Sequence, residues 1–174
     1  MLFSTLLWVM AFKKRSKRSN SEYMTWVRKL DKVMSIYIRM RDSQEYNHRY
    51  FRCISCGRIL PIDQADCGHF LSRRHMSTRF DARNMNAECR ACNRFSSDHL
   101  IGYRRNLILR LGRNAFAEKY PNKPLVMDIV KQLGTQTVDL LEILSRQTKK
   151  WSVSELQAMY IKYGEKIMEM RKGL

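Results

Sequence analysis

The sequence lacks a long hydrophobic run, a glycine-rich phosphate loop and any internal repeat. Its most apolar stretch is the opening MLFSTLLWVMAF, too short for a bilayer span, since a membrane helix needs about 20 apolar residues. No basic residues precede this run and no small-residue cleavage site follows it, so a signal peptide is not expected. A basic tract comes next, Lys13-Lys14-Arg15-Ser16-Lys17-Arg18, which leaves a weak anchor as one membrane reading, beside an acidic membrane surface as the alternative polyanion to nucleic acid. The expectation is a cytoplasmic protein without stable membrane association, with Met10 as an alternative start to Met1. Acidic residues are also scarce. Only 16 Asp and Glu stand against 33 Lys and Arg, a formal charge of +17. That excess calls for a polyanionic partner, and nucleic acid leads because phosphate neutralisation by Lys and Arg dominates such binding. A ribosome-like structural role fits the charge equally, so charge names no function.

Cysteine is sparse, five in all, but four are paired by spacing: Cys53-Ile54-Ser55-Cys56 and Cys89-Arg90-Ala91-Cys92. A Cys-x-x-Cys turn lets both sulfurs face one point, and two such turns supply the four thiolates of a closed structural Zn²⁺ site. Disulfides and free core thiols are the alternatives, the former suited to a small secreted domain. Cys67 has no partner at ligand spacing and is left over. Two linked knuckles pin distant parts of the chain together, so the segment between them is held as a loop or hairpin against the element that follows. That segment carries Asp66-Cys67-Gly68-His69, Arg73-Arg74 and Arg79-Phe80-Asp81-Ala82-Arg83-Asn84.

Around this centre the periodicity predicts helices. Residues 1–20 read as a disordered tail of apolar and basic halves. From 21 to 44, Tyr23, Trp26, Val27, Leu30, Val33, Met34, Tyr37 and Ile38 fall at helical spacing. A strand is expected at 49–52, and Gly57 gives the first knuckle its backbone freedom. Ile59-Leu60 is expected to pair with 65–71 as a hairpin, followed by an irregular loop over 72–83. A helix is predicted from 93 to 111 with Gly112 ending it, then a short one at 113–119 and a linker at Tyr120–Pro124. Helices at 125–133 and 135–147 are expected to be separated by Gly134. The last, over 153–172, starts from a capping box of Ser152 and Glu155. Apolar stripes on the terminal helices offer core packing or a dimer seam.

The enclosed segment holds the parts a small nuclease needs. His69 is a candidate general base, because histidine's ordinary pKa lies near neutrality. Asp66 and Asn93 offer the carboxylate and amide oxygens that Mg²⁺ accepts. On a strand with period two, Asp66 and Gly68 share a direction while His69 points the other way, unless a bulge at Gly68 turns it. Arg73, Arg74, Arg83, Arg90 and Arg94 are candidate phosphate clamps. Each residue has a plainer reading. His69 can be a buried structural histidine, Asn84 and Asn93 can cap a turn and a helix, and His48, His75 and His99 read as surface residues. Asp81 is a rival acidic ligand, although Arg79-Phe80-Asp81 reads better as a salt bridge and core anchor.

The two knuckles bracketing Gly68-His69, with Asn84 before the second pair and Asn93 directly after it, resemble the HNH, or ββα-metal, nuclease motif. More narrowly, Cys53–Gly57, Asp66–Phe70, Arg79–Asn84 and Cys89–Asn93 resemble the NinG (Rap) recombination endonucleases of lambdoid phages. The likeness continues through Tyr103-Arg104, Leu111-Gly112 and Trp151-Ser152-Val153 to the closing basic helix. The Cys-x-x-Cys-Asn ending is also similar to that of the phage resolvase endonuclease VII. The resemblance implies a mostly α, α+β protein: a zinc-bound ββα-metal, treble-clef-like core over 49–112, between an N-terminal helix at 21–48 and a helical region at 113–174. It implies a structure-specific endonuclease for branched DNA such as Holliday junctions and D-loops, encoded by phage or prophage. In that reading His69 activates water, Asn84 ties down the loop carrying His69, and Asn93 holds Mg²⁺ with an acidic residue. Two departures stand out. Many HNH sites place the acidic ligand immediately before the histidine, where this chain has Gly68, and the family's cysteine-bearing N-terminal segment is replaced by the apolar and basic stretch. The rival readings are a generic HNH nuclease of ordinary duplex and a non-catalytic zinc-ribbon DNA-binding protein. A homodimer would suit symmetric cutting of a junction.

Overall fold

The computed structural model describes the side chains of residues 21–173. The tail reading for residues 1–20 lies outside that range. Helix α1 spans Leu2–Ser43. In its described part the expected stripe is inward, with Val27, Leu30, Met34 and Ile38 essentially fully buried. Helix α5 (Val153–Lys172) lies along it and adds Leu156 and Ile167 to the same core. The Tyr37 and Tyr163 rings pack tilted with centroids 4.9 Å apart, and Trp26 meets Tyr160 edge-on at 5.8 Å. The α5 start is fixed as the sequence predicts: Ser152 Oγ accepts from Glu155 N, and the Glu155 carboxylate accepts from Ser152 N.

Between the helices lie two small antiparallel sheets, and their pairing differs from the expected one. Strand β2 (Ile59–Pro61) turns back on β1 (Tyr50–Arg52). Gly57, with φ of 73°, closes the first knuckle and reverses the chain there. Strand β3 (Ala65–His69) instead pairs with β4 (Met85–Cys89), which arrives only after the long loop. Knuckle geometry thus uses up β2 before β3 begins.

The β3–β4 hairpin is the middle layer. Its face of Ala65, Cys67, Met85 and Ala87 meets α1 and β1 in apolar contact. Its other face, with Asn86 and Glu88, meets α3 (His99–Lys119) through polar contacts. The end of α1 is tied to β4 by Asp42, whose carboxylate accepts from Ala87 N at 2.7 Å and pairs with Arg41 and Arg110. Burial alone would raise the Asp42 pKa, but the two guanidinium groups override it and hold it at about 2.

Two helical expectations are corrected. Gly112 and Gly134 were expected to break helices, yet both lie inside continuous ones, α3 and α4 (Met127–Ser145). A Cβ at Gly112 would stand 1.9 Å from the Val130 carbonyl oxygen, and one at Gly134 would stand 1.9 Å from that of Ile108. The glycines mark the backbone crossing of α3 and α4, which no side chain could enter. The single helix expected from 93 to 111 is also divided, into α2 (Arg90–Phe95) and α3, by a bend at 96–98. The second knuckle sets the direction of α2, whereas Tyr103 and Leu107 must turn α3 onto the hairpin. The fold is α+β and mostly helical. Among the described residues no helix is long and apolar enough to cross a membrane.

Candidate functional site

The four paired cysteines converge. The sulfurs of Cys53, Cys56, Cys89 and Cys92 all lie within 4.8 Å of one another and could hold a metal ion such as zinc. Tetrahedral Zn–S bonds of about 2.3 Å place sulfurs about 3.8 Å apart, so a small inward movement completes such a shell. The chemistry of the four groups also asks for a cation. Burial, then the neighbouring sulfurs of Cys89, Cys53 and Cys56, push the Cys92 thiol up, and burial raises Cys53 to about 11. At Cys56 burial opposes ionisation, but hydrogen bonds from Arg58 prevail and bring it down to about 7. Four thiolates cannot share this space without a compensating positive charge. Cys67 is a separate matter: it is buried in the α1 core, where burial raises its thiol to about 12 and keeps it neutral.

At the other end of β3 stands His69. Its Nε2 lies 3.1 Å from the Arg79 carbonyl oxygen. A carbonyl only accepts, so Nε2 carries the proton and Nδ1 keeps its lone pair. Arg73 Nε donates toward that Nδ1 at 3.4 Å. Burial, with the Arg73 charge second, lowers the His69 pKa to about 4, so the ring is neutral at physiological pH. The loop that supplies the Arg79 carbonyl is pinned by Asn84, which is fully buried. Its Oδ1 accepts from Leu71 N at 2.8 Å, and its Nδ2 donates to the carbonyls of Leu71 and Thr78 at 3.0 Å each. Arg79 is fixed in turn by a two-point contact with Asp31 of α1, at 2.6 and 3.2 Å. Phe80 is buried in the core, while Asp81 pairs with Arg83 at 2.7 Å.

Asp66 belongs to a second group. Asn93 Nδ2 donates to its carboxylate at 3.0 Å, and Arg94 chelates the same carboxylate at 2.7 and 2.8 Å. Burial works against ionisation here, and the contacts of Arg94 and Asn93 hold the Asp66 pKa below its usual value. The ladder from Ala65↔Cys89 to His69↔Met85 is unbroken, so no bulge turns His69 towards Asp66. The two side chains point to opposite faces of β3, three residues or roughly 10 Å apart along the strand. The fold therefore joins Asp66 to Asn93 and His69 to the loop held by Asn84, and it does not join these pairs to each other.

The five arginines are mostly engaged. Arg73 reaches His69 and the Cys67 carbonyl, Arg83 holds Asp81, Arg90 donates to the Asp63 carbonyl, and Arg94 holds Asp66. Arg74 alone of the five makes no side-chain hydrogen bond among the described residues. One buried group escaped the sequence reading. Glu88 is completely buried, and its Oε1 accepts from Ser55 Oγ of the first knuckle and lies 2.7 Å from His99 Nδ1. His99, expected at the surface, is thus a structural partner on the first turn of α3. The available signal was Gly68: Glu88 occupies the space a side chain there would need, 2.2 Å from its ideal Cβ position.

Comparison with known proteins agrees with the resemblance to the NinG family. The model of a family described as NinG, Bacteriophage Lambda NinG protein, matches residues 10–125. The Protein ninG of Escherichia phage 933W is 29% identical over 149 residues, covering 85% of this chain and 59% of that protein. The Protein ninG of Escherichia phage lambda is 26% identical over 149 residues, covering 85% of this chain and 58% of its own length. That of Enterobacteria phage H19B is 34% identical over 94 residues, 53% of this chain and 43% of the relative. The chain thus spans about three-fifths of the first two relatives. No solved structure matches it. The chain belongs to the NinG family.

Proposed function

We propose that this member of the NinG family is a zinc-stabilised endonuclease of the HNH type that hydrolyses phosphodiesters in branched DNA. The observation that carries the reading is the state of His69: neutral, its Nε2–H donating to the Arg79 carbonyl, and its Nδ1 unprotonated and approached by Arg73 Nε at 3.4 Å, a long contact that Arg73 gives up when it turns to a phosphate. The zinc at the four cysteines holds the frame on which β3 and α2 stand. Asp66 and Asn93 would hold a divalent ion such as Mg²⁺: the carboxylate is ionised, an amide lies beside it, and the Arg94 guanidinium already fills the place of a cation. Such an ion would supply charge neutralisation on the phosphate backbone. Arg94, half exposed, is then free to turn to a phosphate. Among the described residues β3 pairs with β4 alone, and Arg73 spans its other edge from His69 to the Cys67 carbonyl, where it would have to move for a phosphate to approach. A phosphodiester chain laid along the edge meets His69 at one end and the Asp66–Asn93 group at the other. There Nδ1 would take a proton from the attacking water, whose oxygen bonds to phosphorus as the opposite phosphorus–oxygen bond breaks, and the leaving oxygen takes a proton from solvent.

The test is cleavage of a labelled four-way junction and of a linear duplex of the same sequence with Mg²⁺, by the wild-type protein and His69→Ala. The reading expects junction cutting that falls by a factor of about 10² or more in the variant while DNA binding persists. Equal cutting of both substrates would leave a generic duplex nuclease. Binding without cutting by the zinc-loaded wild type would leave a DNA-binding module.

A further inference from the structure

The bend between α2 and α3 carries apolar side chains that the packing does not use. Phe95, the last residue of α2, is 84% exposed, and Ile101 in the first turn of α3 is 76% exposed. Neither stands on loose chain. Phe95 follows Cys92 by three residues on a helix whose start is fixed by two cysteines of the metal centre. Beside Ile101, Gly102 packs so closely under the first knuckle that a Cβ would lie 2.2 Å from the Ser55 carbonyl oxygen. His99, two residues earlier, is held by the buried Glu88. Such a frame fixes the backbone beneath both side chains.

Arg90 and Arg94 precede Phe95 on α2, and Arg104 and Arg105 follow Ile101 on α3, with Asp98 the one acid within the bend; Arg94 is paired with Asp66 and Arg104 with Asp139 and Glu142, which leaves Arg90 and Arg105 as the cations without a carboxylate partner among the described residues. On a chain of charge +17, a second copy would bring like charge against like charge at this place. A partner with apolar faces framed by phosphates complements it. We propose that Phe95 and Ile101 form an apolar wedge that enters between unstacked bases where a DNA duplex branches. The proposal rests on the branched-DNA reading above and names the element that selects the branch. In continuous duplex a wedge must first separate stacked bases, whereas at a branch point stacking is already broken. Stacking of a base on an aromatic side chain is worth roughly 5- to 150-fold in affinity.

The experiment measures binding, with zinc as the only divalent ion, of the full chain to a four-way junction with 2-aminopurine at the branch and to linear duplex of the same sequence. Phe95→Ala, Ile101→Ala and the double variant are compared with wild type and His69→Ala, after circular dichroism and zinc content confirm their folding. The wedge predicts a fluorescence change on junction binding by wild type and His69→Ala that is lost in the double variant. It also predicts a junction preference lowered by about 5- to 100-fold with duplex affinity unchanged. A double variant that keeps the preference and the signal overturns the proposal, as does equal loss on both substrates. A wild type that binds both alike overturns it whatever that protein cuts. Altered sedimentation mass with unaltered DNA binding would assign Phe95 and Ile101 to a protein contact and overturn it too. Because no cleavage is read, a failure of the nuclease chemistry leaves this result standing by itself.

Discussion

At one end of the β3–β4 hairpin Cys89 joins a ring of four sulfurs, while at the other Asn84 holds the loop with three hydrogen bonds. The two ends face the same problem, fixing irregular backbone beside open solvent, and solve it with different forces. The sulfur end assembles groups that repel one another when ionised and so depends on a cation from outside. The loop end is self-sufficient: amide hydrogen bonds, the Arg79–Asp31 pair and the buried Phe80 close it without a metal. Their polar side chains differ accordingly. Asp66 is ionised and already covered by Arg94 at 2.7 Å, whereas His69 is neutral and its Nδ1 lone pair is met only by the longer 3.4 Å approach of Arg73 Nε. A residue positioned by hydrogen bonds to backbone can hold one tautomer, and that is what proton transfer needs.

Removing the cation should separate the ends most strongly. A chelator is expected to abolish cooperative unfolding of the knuckle region, since structural zinc contributes on the order of 10 kcal/mol in such sites. Zinc release measured with circular dichroism should give one ion per chain and a loss of fold that added zinc restores. Asn84→Ala attacks the other end and leaves Leu71 N and two carbonyls unpartnered in a buried place. A loss of roughly 2–4 kcal/mol in denaturant titrations is expected, with zinc still bound. Were zinc lost as readily as in a knuckle variant, the two ends would not be independent.

The pH dependence sharpens the comparison. His69 has a folded pKa of about 4, below the ordinary 6.5. Above pH 6.5 the ring is neutral in both states, so its contribution to stability is fully present. As pH falls from 6.5 to 4 the unfolded chain takes up a proton that the folded chain refuses, and stability declines through that window. The decline should reach up to roughly 3 kcal/mol and be absent from His69→Gln, with zinc loss affecting both alike. The smallest effect is expected at Arg94→Ala. The guanidinium is half exposed, so solvent screens its ion pair with Asp66, and the melting temperature should stay close to that of the wild type.

The residues easiest to read in the sequence are those whose meaning is local. Cys-x-x-Cys spacing shows a shared sulfur site, Ser152 and Glu155 show a helix start, and the spacing of Val27, Leu30, Met34 and Ile38 shows the buried stripe of α1. Asn84, read from the motif as the anchor of the loop, bonds Leu71 N and the Leu71 and Thr78 carbonyls through its side chain. Long-range choices were not legible in the same way. β2 could have paired with β3, and only the reversal at Gly57 decides against it. Gly112 and Gly134 look like helix breakers alone and make sense only as a pair, each the space into which the other's helix fits. The opposite facing of Asp66 and His69 follows from an unbroken ladder, which a sequence with Gly68 between them leaves open. Glu88 and His99 are eleven residues apart on different elements, so their contact had no signature beyond the missing side chain at Gly68.

The most direct measurement is nitrogen-15 NMR of the His69 ring in the zinc-loaded protein, followed from pH 8 to pH 4. The account predicts the Nε2–H tautomer, with Nδ1 unprotonated until pH approaches about 4. A ring that carries its proton on Nδ1, or titrates at the ordinary value near 6.5, would contradict it, because His69 would then not stand ready to take a proton from water.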